Sequence, residues 1–565
     1  MRRALRIASI ALMVLATVAR PSAASCGDAL ADLVFATTRL GGPDRHWTAT
    51  AMAREAFPGW AGVRSVIVAA SDAPADALVA STLTKVAAGP LLLVEREGVP
   101  EPVAEALQQI GSADATLSVI VVGGPSAVSD GCVDELRALL GGDVEPVRVF
   151  GKDRYQTAAA VASAVASLAA GTADGWDGTV FVANGEPSFG LFDALSASSA
   201  GAATGGVVLY ARRDEAPSAT LSALASLAAS DVVVVGGQAA VSAAVSRDVG
   251  ASKRWAGADR FGTAAAVAAE VRARGLVDAE SAIVARAVVD AVAAGQVSAH
   301  GGGPLLLVGQ GGVPEPTARF LADADPGIER VLIGGGPAAV PTAVERELQG
   351  APHAPDLIAP RPGSLTGAKA PVTVRTGVNT SQVLLYRGSS LVATKAASPF
   401  AEVSFGIRQM PADGTQMRVV AVSSRGVSTA TSAQYRRLKY PASTSIVVDK
   451  SEFRLYWVRD DVLVKAYPVA IGKPNSETPA AFWRIGAKYY TDPASVYGPR
   501  KMRLFRRIGN GEFMRYVYTA YGIHGTNQPW VIGTKASHGC IRMYNRDVLE
   551  LFPQVPLGTL VQTRE

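Results

Sequence analysis

"GPDRHWTA" at residues 42–49 returns as "GKDRYQTA" at 151–158 and as "GADRFGTA" at 257–264. The shared pattern is G-x-D-R-x-x-T-A, with starts 109 and 106 residues apart. Self-similarity at a nearly fixed period makes the repeat the unit from which the fold is built. Farther along each copy an apolar run ends in glycines: "VIVVGGPSAVS" (119–129), "VVVVGGQAAVS" (232–242) and "VLIGGGPAAVP" (331–341). Between these markers lie "PLLLV" (90–94), "GVVLY" (206–210) and "PLLLV" (304–308), and each copy has an Asp-Ala-Leu/Val step at Asp76, Asp193 or Asp290.

The short β-branched runs read as buried parallel strands and the Ala-rich stretches between them as helices. Repeated strand-turn-helix units imply three flavodoxin-like, parallel-sheet α/β repeats with right-handed crossovers, at about 30–140, 141–250 and 251–350. The glycine pairs lack the G-x-G-x-x-G spacing, so a tight strand-to-helix turn is the better reading than a nucleotide-phosphate loop. Within the motif, Asp and Thr suit a helix cap and Arg suits an ion pair between units. A second use, with Arg45, Arg154 and Arg260 meeting an anionic polymer, is weakened by the Asp beside each Arg.

At 565 residues the chain needs several domains. Hydrophobic content of 48% and charged content of 18% suit folded domains rather than disorder. "MRRALR" followed by a thirteen-residue apolar run and "PSAAS" reads as an export signal, cleaved after Ala24. The run is shorter than the roughly 20 residues needed to span a bilayer, and no later run is long enough, so a secreted protein without a transmembrane segment is expected. The net charge of +5 falls to about +1 once Arg2, Arg3, Arg6 and Arg20 are removed, which gives no reason to expect nucleic acid as a partner. The charge is uneven: residues 443–565 carry 17 Lys+Arg against 10 Asp+Glu, net +7. Exported cysteines usually pair, so Cys26–Cys132 is the expected disulfide, with Cys540 free; lipidation of Cys26 is the rival.

"APHAPDLIAPRP" (351–362) opens a proline-rich linker, 351–370, in which His353 is expected to be solvated. From 371 to 440 short alternating runs such as "VTVRT", "QVLLYR" and "MRVVAVS" suggest a small β-sandwich of immunoglobulin or fibronectin type, with a spacer's role. Residues 441–565 open another β-rich domain, with "TSIVVDKSEFRLYWV", "VLVKAYPVAIG", "ETPAAFWRI" and "YGPRKMRLF".

That last domain contains "GIHGTN" (522–527) and "ASHGCIRMYN" (536–545). The polar, glycine-containing surroundings of Cys540 are unlike those of an inert core thiol. A zinc site would lack a fourth ligand. A nucleophile is the remaining reading: the thiolate is the reactive form and an imidazole must take its proton. Glycine beside the cysteine admits a substrate backbone and leaves amide N–H groups for an oxyanion.

Two family resemblances follow from these residues. The threefold pattern, over about 30–350, resembles the type 2 cell-wall-binding repeats of bacterial surface proteins. That resemblance implies one assembly of three repeats, holding the protein non-covalently on an anionic secondary wall polymer. "IHGTNQPWVIGTKASHGCIRMYNRDV", with "IVVDKSEFRLYWV" and "YPVAIGKP" upstream, resembles the L,D-transpeptidase family (the YkuD-type domain) over about 444–565. It implies Cys540 as nucleophile, His524 as general base and the carbonyl of Gly525 as the group that orients the imidazole. It also implies that Ser537, His538 and Gly539 shape the site, and that Arg542 steadies the loop or meets a substrate carboxylate. No metal or organic cofactor is implied. The family often has a glycine after its Thr-Pro step, where this chain has Ala480. Together the parts suggest a secreted, wall-attached enzyme that joins peptidoglycan stem peptides through 3→3 cross-links. An L,D-carboxypeptidase, a surface adhesin with a silent C-terminal domain and a general cysteine protease are the alternatives.

Overall fold

In the computed structural model, which describes residues 29–565 apart from 112–116, 142–143, 171–175, 276, 325–326, 408–409 and 412–414, each G-x-D-R-x-x-T-A motif starts a helix. The helices are Arg45–Ala56, Arg154–Ala169 and Arg260–Ala273. Their caps are the motif aspartates. Asp44 accepts from the N–H groups of His46 and Trp47, Asp153 from Gln156, and Asp259 from Gly262. The threonine hydroxyls of Thr48, Thr157 and Thr263 accept from the N–H of the leading glycine. Such a cap contributes about 1 kcal/mol. Among the described residues the motif arginines make no direct ion pair, although Arg45 and Arg154 lie near enough to Asp290 and Asp76 of the adjoining repeats to favour their charged forms. Arg45 and Arg154 donate instead to the carbonyls of Ser71 and Gly185, at 3.0 and 2.9 Å, and the Arg260 guanidinium lies 4.4 Å from the Phe192 ring.

Each repeat contributes a four-stranded parallel sheet. In the first, the strands Ser65–Ala70, Leu91–Val94, Ser118–Val122 and Val147–Val149 lie in the order second, first, third, fourth. The second uses Thr179–Asn184, Val207–Ala211, Asp231–Val235 and Lys253–Trp255 in the same order. This is the flavodoxin-like order. The third has Ser281–Ala285, Leu305–Leu307 and Arg330–Gly334, and its fourth strand is Ala36–Leu40 from the start of the described chain, in register from Ala36↔Arg330 to Leu40↔Gly334. In every sheet the fourth strand therefore lies just ahead of the next motif. The hydrogen-bonded units are displaced by one strand from the sequence repeat and close head to tail. The boundaries read from sequence follow the repeat, not the sheets.

An arginine three residues before each motif locks the fourth strand to its neighbour. Arg39 donates to the carbonyls of Gly335 and Val340, at 2.8 and 3.0 Å, and pairs with Glu345. Arg148 donates to the carbonyls of Gly123 and Val128, and Arg254 to that of Gly236. Arg39→Leu is expected to cost about 1.5–3 kcal/mol, since charged hydrogen bonds to half-buried acceptors are lost. Thermal unfolding should show a lowered midpoint for the repeats. Arg319→Leu, which breaks an exposed i,i+4 pair with Glu315, should change it little.

Small residues let the three repeats meet. The helices Pro74–Ala80, Phe192–Thr204 and Ala294–Ala299 pack together. A Cβ on Gly295 would sit 2.7 Å from Ser81 Oγ and 3.3 Å from Ala202 Cβ, so all three repeats converge there. The glycine pairs make the expected tight turns: Gly123, Gly236 and Gly335 have φ of 119°, 109° and 125°. Burial raises the pKa of Asp76 and Asp193, which face the first two of these turns, to about 6.

Residues 350–565 form a separate compact unit. The stretch expected to be a linker contains the strand Asp356–Ala359, which pairs antiparallel with Ala370–Arg375. The β-sandwich thus begins inside it; Pro355 and Pro360 flank the strand, and an edge strand tolerates proline at its ends. His353 is half-buried against Gly377 rather than solvated. The sandwich has a three-stranded and a four-stranded antiparallel sheet around Val372, Val374, Val383, Leu385, Phe405 and Val419. The last domain is a nine-stranded, mainly β barrel; its end strand Arg454–Arg459 pairs back onto Val462–Gly472 and closes it around Trp457 and Trp483.

Among the described residues no helix is long and apolar enough to cross a membrane. The segment 1–24 read as an export signal lies outside the described residues, as does Cys26. Cys132, on the helix Asp130–Leu139, is fully buried and has no disulfide partner among the described residues, and burial pushes its pKa up to about 11.

Candidate active site

The barrel brings the two motifs of the C-terminal domain together through one strand pairing. His524 ends the strand Arg515–His524, and Cys540 immediately precedes Ile541–Met543. The two strands run parallel, with Ile523↔Ile541 and His524↔Arg542 in register. Partners in register present side chains to the same face, and so do residues two apart on a strand. His524 and Arg542 therefore share a face, and Cys540 lies two residues ahead of Arg542, at the mouth of its strand.

His524 is 3% exposed, and its Nδ1 lies 2.5 Å from the carbonyl oxygen of Gly525. A carbonyl only accepts, so Nδ1 carries the proton and Nε2 keeps its lone pair. Burial, then the cations of Lys501, Arg542 and Arg503, push the ring's pKa down to about 4, against the raising effect of the Gly525 bond. The imidazole is neutral near pH 7. Gly525 has no room for a side chain: a Cβ would lie 2.3 Å from Asn545 Oδ1.

The Cys540 thiol is half-buried, with Sγ 3.9 Å from the Ala520 carbonyl. Ser537 is fully buried and ties the turn together, donating to the Cys540 carbonyl at 2.6 Å and accepting from the Gly539 N–H at 3.1 Å. That amide is thus engaged, not free for an oxyanion as expected. Gly539 is needed for other reasons: its φ is 101°, and a Cβ would lie 2.3 Å from Tyr521 Cε1. Thr478 links the turn to the opposite strand, donating to the Gly539 carbonyl and accepting from the Gly472 N–H. The His538 side chain is exposed. Arg542 donates to Gln528 Oε1 at 2.9 Å.

Several neighbours were not assigned from sequence. Tyr497 packs edge-on to the His524 ring, with centroids 5.0 Å apart, and Lys501 Nζ sits 3.4 Å from the Tyr497 ring centroid. Lys501 is the direct cross-strand partner of His524 and is 5% exposed. Arg503, two residues on, donates to the carbonyls of Thr519 and Ala520. The available signal was the alternation of Lys501 and Arg503 within "YGPRKMRLF", which places two cations on one face of a strand.

A family model for the L,D-transpeptidase catalytic domain matches residues 443–562, and a model for cell wall binding domain 2 matches 39–133, 148–246 and 254–345. The chain is 39% identical over 121 residues to a putative L,D-transpeptidase YkuD of Bacillus licheniformis, covering 21% of this chain and 64% of that protein. It is 33% identical over 132 residues to a probable L,D-transpeptidase ErfK/SrfK of Escherichia coli, 21% of this chain and 43% of the relative. It is 31% identical over 132 residues to a putative L,D-transpeptidase YqjB of Bacillus subtilis, 21% of this chain and 71% of the relative. The chain thus spans about two fifths to two thirds of the length of the first two relatives. The chain belongs to the L,D-transpeptidase family through its C-terminal domain, which follows three cell wall binding repeats.

Proposed function

We propose that this protein is secreted, held on the cell wall by its repeats, and forms 3→3 cross-links in peptidoglycan through a thioester on Cys540. The observation that carries the reading is the neutral, buried His524, held by the Gly525 carbonyl at the end of the strand paired with the one that Cys540 leads into. Cys540 Sγ passes its proton to His524 Nε2 and bonds to the carbonyl carbon at the L-centre of a diaminopimelate-type third residue. The C–N bond to D-Ala breaks, and the amine leaves with that proton. The amine of a second stem then attacks the thioester and gives a proton to Nε2. The C–S bond breaks, and the thiol is restored. Mass spectrometry of peptidoglycan fragments incubated with the protein tests this. A dimer linked 3→3, with D-Ala released, is expected. Tripeptide alone would make water the acceptor and the protein a carboxypeptidase; unchanged stems would remove the enzymatic reading.

The wall polymer is read as anionic, and the repeats as its anchor. Residues 25–350 are expected to stay on isolated walls through a salt wash. Residues 441–565, whose 17 Lys+Arg against 10 Asp+Glu favour only screened attraction, should wash off. Equal retention of the two pieces in a sedimentation assay would overturn the anchor.

A further inference from the structure

Three cations surround His524, and none has an acidic partner among the described residues. Lys501 Nζ lies over the Tyr497 ring, Arg542 is held by the neutral Gln528, and Arg503 is held by two backbone carbonyls. The Nε atoms of both Arg503 and Arg542 are buried and unbonded. Burying a guanidinium N–H without a partner is costly, so both side chains call for an explanation.

Arg503 is built into place. Its Nη1 lies 3.0 Å from the Ala520 carbonyl, the same oxygen that the Cys540 thiol contacts, and 3.2 Å from the Thr519 carbonyl. Its Cζ lies 5.1 Å from the Tyr518 ring centroid. A guanidinium fixed beside the thiol, with no acidic partner of its own, is a positioned charge suited to a carboxylate. Arg542 reaches the same face from the strand after Cys540. A donor stem ending in D-Ala presents one carboxylate on the leaving group, and a diaminopimelate-type third residue presents a second at the end of its side chain.

We propose that Arg503 is a specificity-determining residue that binds the free side-chain carboxylate of the donor's third residue. This rests on the transpeptidase reading above and names its substrate class: acidic donor stems rather than ones amidated at that carboxyl.

The test uses the full chain and two synthetic donor stems, identical except that the third residue's side-chain carboxyl is free or is a carboxamide. The wild type should favour the free acid by at least about tenfold in kcat/KM, because a charge-assisted contact is lost with the amide. Arg503→Gln should bring the two donors to parity, with the loss on the acid falling in KM; Arg503→Lys should keep part of the preference. A thermal midpoint at the wild-type value shows that the fold has survived the substitution. Equal use of both donors by the wild type, or a preference that persists in Arg503→Gln, overturns the inference and leaves the transpeptidase reading standing. No turnover of either donor overturns both.

Discussion

Cys540→Ala is expected to abolish stem-peptide transfer while leaving the fold intact. The substitution removes one sulfur from a half-buried turn, where the thiol's hydrogen bond is a long one to the Ala520 carbonyl, at 3.9 Å. The turn itself is held by other bonds: Ser537 to the Gly539 N–H and the Cys540 carbonyl, and Thr478 to the Gly539 carbonyl. None involves the thiol, so the thermal midpoint should barely move. The chemistry has no substitute. Cys132 lies in a separate compact unit, fully buried, with its pKa pushed up to about 11, far from thiolate at neutral pH. A carbapenem, which resembles the acyl donor and inhibits the family, should add one adduct mass to the wild type and none to Cys540→Ala. An adduct on the alanine variant, or turnover that survives it, would place the nucleophile elsewhere.

The residues legible in the sequence are those that chemistry confines to a short stretch. His524, Ser537, Gly539 and Cys540 lie within one signature, and local geometry demands each glycine. Lys501, Arg503 and Tyr497 escaped assignment because they come from another strand and its approach. Only the register Lys501↔His524 brings them to the site, and alternation along one strand does not say which strand it will face. The repeats divide the same way. The motif and the apolar runs announced three parallel-sheet units, whereas the pairing of Ala36–Leu40 with Arg330–Gly334 is non-local and was not read from either segment. One mark went unweighed: Arg39, Arg148 and Arg254 extend the pattern to R-x-x-G-x-D-R, and the added arginine is the one that locks the strand. In the proline-rich stretch, composition concealed a strand whose only demand was an edge position.

His524→Ala is expected to cost at least about a hundredfold in transfer, since the thiol loses the group that takes its proton. His538→Ala should cost much less, because that side chain is exposed and the structure gives it no contact with the thiol. The pH dependence separates a base from a merely structural ring. A general base works only when unprotonated, so activity is full above its pKa and falls as the pH drops through it. Burial and the neighbouring cations hold the His524 pKa near 4, so the acid limb of kcat/KM should lie there rather than near the ordinary imidazole value of about 6.5. Lys501→Met removes one of those cations and should move the limb upward, toward neutrality. The sign is diagnostic: a loss of packing would lower the rate at every pH without moving the limb. An acid limb near 6.5 in the wild type, or one that does not move in Lys501→Met, would mean that the proton leaving Cys540 goes to some other group.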